Sequence, residues 1–241
     1  MAHVDPAETA LAERLALVRG RIAAATERSG RQSEEVTLIA ISKTHPASVV
    51  SSLVELGATD LGENRVQEAE GKITEVGRDR ARWHLVGHLQ ANKARRAVNL
   101  FDVIHSLDSI DLAQRLDRLC TEEGRDKLSV LIQVDLGHEE TKSGIDETEL
   151  EQLVESLRPL ERLQLIGLMT LPPFFDNPED GRPFFRKLRE LRDRLAARGA
   201  FGDGKGELSM GMTNDFEVAI EEGATMVRIG TAIFGERAAR H

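Results

Sequence analysis

The chain has 241 residues, 40% hydrophobic and 30% charged, with a formal net charge of −9; this is the balance of a globular domain and excludes a disordered chain. The acidic surplus argues against a nucleic-acid backbone binder, which displays a basic face, and the single cysteine, Cys120, excludes an intramolecular disulfide. The opening MAHVDPAETALAERL has neither a basic start nor a continuous apolar run, so no signal peptide or membrane anchor is expected and a cytoplasmic location is.

Asp5 before Pro6, with Glu8 three residues after Asp5, reads as a helix start, and Leu11, Leu15, Val18 and Ile22 continue it as one apolar stripe to about Gly30. The run Val36 to Ser42 is continuously apolar, as a strand buried on both faces requires, and Lys43 follows it directly. Val49, Val50 and Leu53 predict a helix closed by Gly57, and a short strand then runs from Thr59 to Leu61 into GENRVQEAE. Further strands are predicted over Arg82 to His88, Val103 to Leu107, Leu128 to Leu136, Leu163 to Thr170, Glu207 to Met212 and Met226 to Phe234. Helical patterns lie between them, the clearest being Phe184, Phe185, Leu188, Leu191 and Leu195, stopped at Gly199. Cys120 falls on such a stripe, with Leu112, Leu116 and Leu119, and reads as core. Lys93, Arg95 and Arg96 read as a solvated helix face.

Eight strands alternating with helices, in a length close to the roughly 250 residues typical of the architecture, predict one α/β domain over residues 1–241: a TIM-type (β/α)8 barrel with an extra N-terminal helix. An open doubly wound sheet has the same alternation. A barrel carries its chemistry at the C-terminal ends of its strands, which directs attention to Lys43, Asn64, Ser209, Thr213, Arg228, Gly230 and Thr231. A partly desolvated lysine at the mouth favours its neutral amine and can attack an aldehyde to form a Schiff base; the plain alternative is an exposed lysine ending a strand. Ser209, Gly211 and Thr213, with Gly230 and Thr231, supply hydroxyls and close-approach glycines where barrels bind phosphate, and Asn214 and Asp215 are placed to cap a following helix. Arg228 and Gly230 face one side of a strand and Ile229 the outer helices. A buried Arg228 needs either a carboxylate partner or an acceptor nitrogen on a bound heterocycle.

The segments IAISKTHPA around Lys43, GENRVQE from Gly62, WHLVGHLQANK from Trp83, LIQVDLG with TKSGI to Ile145, GLMTLPP from Gly167, LSMGMTNDFEVAI from Leu208 and VRIGTAIFGER to Arg237 stand in order over almost the whole chain. In them the chain resembles the pyridoxal 5′-phosphate (PLP) homeostasis proteins of YggS/PROSC type, which are similar to the barrel domain of alanine racemase without its second domain. The resemblance implies that Lys43 holds PLP as a Schiff base and that Arg228 hydrogen-bonds the pyridine nitrogen. It also implies that Ser209, Gly211, Thr213, Gly230 and Thr231 grip the phosphate and that Asn64 lies beside the ring. Leu61 stands where an aromatic is common in the family, and Thr213-Asn214 where a serine and a variable residue are frequent.

An arginine at the ring nitrogen has no acid proton to give, so the ring stays a poor electron sink. The family's racemases use a tyrosine from their second domain as opposing base, and this sequence has no tyrosine. The resemblance therefore implies a protein of intracellular PLP homeostasis that buffers and delivers the cofactor without strong catalytic activity. Its partners would be apo PLP-dependent enzymes, with no nucleic acid and no membrane, and the chain itself a monomer or weak dimer. The alternative is a single-domain fold-type III PLP enzyme, an amino-acid racemase or decarboxylase borrowing His84 or His88 as second base. A Schiff-base aldolase acting on sugar phosphates is a third reading.

Other motifs carry less. His84 and His88 on one strand would stand about 13 Å apart, too far for one metal ion. Ser209 lies in GELSMG, which is not a G-x-S-x-G elbow. Gly202, Gly204 and Gly206 precede a strand and read as a connection. Lys142 after the fifth strand is either an ordinary surface lysine or a second aldehyde acceptor.

Overall fold

The computed structural model describes residues 6–137 and 143–235. Among them eight parallel strands close into a barrel in sequence order, β8 pairing back onto β1. The strands are β1 (Thr37–Ile41), β2 (Asp60–Glu63), β3 (Arg82–Leu85), β4 (Val103–Leu107), β5 (Leu128–Gln133), β6 (Leu163–Met169), β7 (Glu207–Ser209) and β8 (Met226–Ile229). Each predicted strand is found, so the TIM-type architecture holds over the open sheet. Asp5, Lys142 and Arg237 lie outside the described residues.

Helices α1 (Pro6–Arg28), α2 (Ala47–Glu55), α3 (Val66–Val76), α4 (Ala94–Leu100), α5 (Ile110–Glu122), α6 (Leu150–Leu157), α7 (Arg182–Ala196), α8 (Phe216–Glu221) and α9 (Thr231–Phe234) surround the barrel. Alternation along the strands builds two cores. Outward side chains such as Leu61, Trp83, Leu85, Ile104, Leu208 and Ile229 join the helices' apolar faces in the larger one. The inward Ile39, Ile41, Val86, Val103, Leu131, Met169 and Met226 fill the barrel. Cys120 is buried in the outer core, as its helical spacing implies. Arg95 and Arg96 are exposed and pair with Glu122, Glu123 and Glu70, so that basic group is a solvated face.

The extra helix α1 buries Leu11, Leu15, Val18 and Ile22 and packs on α8 and α9. The Nε of Arg14 donates to the Ile233 carbonyl at 2.7 Å, and Arg21 lies over the Phe216 ring while pairing with Glu217. The last predicted strand is shorter than expected: Gly230 leaves extended geometry and Thr231–Phe234 form a helical turn. Short apolar runs have no period that separates strand from buried helix.

Strands β6 and β7 meet where Gly167 crosses Glu207. A Cβ at Gly167 would stand 2.1 Å from the Glu207 carbonyl oxygen and 2.6 Å from its nitrogen, and backbone atoms in a closed barrel have no rotamer by which to retreat. Gly167→Ala should therefore cost about 3 kcal/mol, read as a lowered urea midpoint; an unchanged midpoint would mean that the β6–β7 register slides freely.

Candidate functional site

Lys43 stands two residues past Ile41 and shares its inward direction, at the C-terminal mouth of the barrel. The Ser42–His45 segment is a tight turn, the His45 amide donating to the Ser42 carbonyl at 3.1 Å. Thr44 takes a φ of +70°, costly for a residue with a branched Cβ. A buried polar cluster holds that turn from behind. Ser42 Oγ and Lys72 Nζ both donate to Glu63 Oε1 at 2.6 Å. Lys72 also reaches the Ser42 carbonyl and Glu68, and Glu68 accepts from the Thr44 amide. Glu63 Oε2 is buried with no hydrogen-bond partner. Burial pushes the Glu63 carboxyl above its ordinary range even though Lys72 and Ser42 oppose the shift.

Arg228 projects into the barrel from β8 and is 3% exposed. Its Nη1 donates to Ser209 Oγ at 2.6 Å and its Nη2 to the Thr170 carbonyl at 2.8 Å. Behind Ser209 the interior remains polar. His105 Nδ1 lies 2.9 Å from Ser209 Oγ, His105 Nε2 lies 2.9 Å from His84 Nδ1, and His84 Nε2 lies 2.9 Å from Asp60 Oδ1. Burial holds both imidazoles below their ordinary range, His105 well below. Burial also pulls Arg228 down, to about 10, so the guanidinium is a cation at neutral pH.

A cavity of about 370 Å³ opens above Arg228, lined by Lys43, Thr213, Arg228, Gly230 and Thr231 among others. Such a volume suits a small cofactor. On one side the Thr231 and Thr213 hydroxyls lie 3.2 Å apart. The loop carrying Thr213 is held tightly: Asp215 Oδ1 accepts from the Met212 amide at 2.6 Å, and Asn214 donates to the Phe175 carbonyl. Gly211 has a φ of +91°, and a Cβ there would come within 2.6 Å of the Ala219 side chain, so glycine is required to seat the loop on α8. The opposite wall is apolar, formed by Ile41, Pro173, Phe174 and Phe175.

Five of the eight sequence-expected residues thus share one cavity: Lys43, Thr213, Arg228, Gly230 and Thr231. The other three stand elsewhere. Gly211 shapes the loop from beneath. Ser209 is fully buried and its Oγ is taken up by Arg228 and His105, which sets it under the guanidinium rather than at an anion cradle. Asn64 follows β2 outside the cavity lining, and a Cβ on Gly87 would meet its backbone oxygen at 2.3 Å. Asp215 begins α8 without a side-chain cap, its carboxylate turned to Met212 instead. His88 pairs with Asp108 at 3.2 Å, apart from His84, and no metal cluster exists among the described residues. Sequence reading missed His105, Thr170, Glu63, Lys72 and the Pro173–Phe175 wall. Strand alternation alone turns His105 inward, and that signal was available.

The family model of the alanine racemase N-terminal domain matches residues 16–238 of this closed barrel, and the chain belongs to that family. Within it the chain is 45% identical over 225 residues to the pyridoxal phosphate homeostasis protein of Aquifex aeolicus, covering 93% of this chain and 97% of that one. It is 41% identical over 233 residues to the protein of the same name from Escherichia coli, covering 94% and 97%. Among solved structures, PipY of Synechococcus elongatus with PLP bound superposes with a TM-score of 0.78 at 38% identity, covering 93% of this chain and all of that one.

Two outcomes follow from the buried charges. Lys72→Met strips the buried Glu63 of its cation and should cost about 3 kcal/mol, seen by urea denaturation at pH 7; Glu63→Gln added to it should recover part of the loss. His84 and His105 are held below the ordinary value of 6.5, so beneath that pH the unfolded chain binds protons that the folded chain refuses. Stability should fall as pH drops below about 6.5, by up to about 1.4 kcal/mol per pH unit for each ring. A urea midpoint that is flat from pH 6.5 to 5.5 would contradict the buried, neutral pair.

Proposed function

We propose that this chain binds PLP at the barrel mouth through Lys43 and serves cytoplasmic cofactor homeostasis, holding PLP and passing it to apo PLP-dependent enzymes without strong catalysis of its own. The observation that carries the reading is the single cavity that sets the Lys43 amine, the Arg228 cation and the Thr213–Thr231 hydroxyl pair around one small volume. Those groups fit the cofactor's chemistry. When bound, PLP supplies an aldehyde able to condense reversibly with a lysine amine.

Lys43 would hold the aldehyde end, and the turn behind it, braced by Glu63, Glu68 and Lys72, limits where its amine can swing. Arg228 would donate to the ring nitrogen. Being a donor without an acid proton to spare, it leaves that nitrogen unprotonated, which weakens the ring as an electron sink. Thr213, Gly230 and Thr231 would receive the phosphate. Pro173 and Phe174 would shield one face of the ring. The names of the two pyridoxal phosphate homeostasis relatives and the PLP-bound PipY structure support this reading.

The racemase or decarboxylase alternative needs a second base. The sequence has no tyrosine. His84 is committed to Asp60 and His105 inside the barrel, and neither His84 nor His88 lines the cavity.

Added PLP should give the purified protein a visible absorbance that borohydride fixes as a pyridoxyl group on Lys43, detected by mass spectrometry. Lys43→Ala should abolish both signals while leaving the fold intact. Label on another lysine alone would refute the site. Racemisation or decarboxylation of a common amino acid at ordinary turnover, lost in Lys43→Ala, would replace the carrier reading with the enzyme one.

A further inference from the structure

The polar line Asp60, His84, His105, Ser209, Arg228 runs from the first residue of β2 to the cavity, and its Asp60 end, with two neutral rings, fixes its direction. Arg228 carries only donors, so Ser209 Oγ accepts from Nη1. The Ser209 hydroxyl keeps a second lone pair as well as its hydrogen, so taken alone it can accept from His105 Nδ1 or donate to it. At the far end Asp60 is an ionised carboxylate: burial opposes its charge, but hydrogen bonds from His84 and Thr59 outweigh it and hold the carboxyl below its ordinary range. Asp60 therefore only accepts, and His84 donates to it from Nε2. His84 is neutral, which leaves its Nδ1 an acceptor and requires His105 to donate from Nε2. A neutral His105 that donates from Nε2 has an unprotonated Nδ1, which leaves Ser209 to donate to it: both imidazoles are the Nε2–H tautomer, and every hydrogen bond in the line points from Arg228 toward Asp60.

This direction matters because Arg228 has no carboxylate at ion-pair distance among the described residues. Asp215 is near enough to favour its charge, but its Oδ1 is engaged by the Met212 amide. Asp60 is the anion to which the guanidinium is joined by continuous hydrogen bonds, and polarisation accumulates along such a line in a low-dielectric interior.

We propose that Asp60, His84, His105 and Ser209 are positioning residues for the cofactor site, forming a one-way hydrogen-bond line that orients the Arg228 guanidinium and sets how strongly it donates into the cavity. The proposal rests on the reading that a PLP ring nitrogen faces Arg228. It extends the site to the opposite end of the barrel, through residues that never touch the ligand.

Imidazole nitrogen NMR on uniformly 15N-labelled protein tests the line without cofactor. At pH 7.5 both rings should be neutral with Nε2 protonated; a cationic ring or an Nδ1–H tautomer at either position overturns the proposal. Adding PLP should then move the resonances of His105 and of the more distant His84, and resonances that stay fixed while PLP binds overturn it too. Asp60→Asn keeps an acceptor for His84 but removes the charge, and Ser209→Ala cuts the line. Each should still form the Lys43 chromophore, with about tenfold weaker PLP binding and a displaced absorbance maximum. Folded variants with the parent's affinity and spectrum refute the coupling, leaving a purely structural line. If the parent forms no chromophore at all, it is the proposed function that fails, and the tautomer result stands apart from it.

Discussion

A cation buried inside a barrel, with no carboxylate at ion-pair distance among the described residues, is the constraint around which the molecule is organised. Arg228 is 3% exposed and still charged at neutral pH, so its donors need fixed acceptors. Two come from neighbouring strands: the Ser209 hydroxyl at the end of β7 and the Thr170 carbonyl just past β6. Both must stand at the height of Arg228, and the backbone arranges this. The Thr170 amide donates to the Ser209 carbonyl and the Arg228 amide to the Gly211 carbonyl, while Gly167 lets β6 approach β7 closely enough for that register. The sheet geometry near the mouth is thus coupled to one side chain's electrostatics.

The neighbouring strand β1 solves a different problem. The turn that carries Lys43 is braced one layer outward: Glu63 and Ser42 face α3, and Lys72 meets them there. Alternation along β1 sends Ser42 outward to anchor the turn and Lys43 inward to the cavity. Helix α1 contributes on the third side. By packing against α8 and α9 and bonding Ile233 through Arg14, it steadies α9, which begins at Thr231, and α8, which follows the Thr213 loop.

The strands were legible because parallel strands covered on both faces must be continuous apolar runs, which these are. What sequence could not supply was depth. Ser209 and Thr213 are both hydroxyls near a glycine and look equivalent in SMGMT, yet β7 ends at Ser209 and its inward direction sends that hydroxyl beneath Arg228, while Thr213, four residues on, rises to the rim. The alternation that correctly paired Arg228 with the barrel interior gives the same answer for Ser209, His84 and His105. Glu63 and Lys72 were harder to see. Nine residues apart in sequence, they meet only because α3 folds back over β2; Glu63 belongs to the GENRVQE segment, but nothing in it marks Lys72 as its partner.

On the proposed reading, the guanidinium that would hold the ring nitrogen would also make the cavity a poor catalyst. A carboxylate at the ring nitrogen would stabilise the protonated pyridine on which carbanion chemistry draws, whereas a permanent donor leaves the nitrogen neutral. Converting the site by substituting Arg228 with a carboxylate would place an anion among Ser209, the Thr170 carbonyl and a neutral histidine pair, none of which is arranged to compensate it. The whole interior line would have to reverse. On that reading, weak catalysis would follow from the entire polar interior, from Asp60 upward, whose hydrogen-bond direction suits a donor at the ring nitrogen and not a carboxylate.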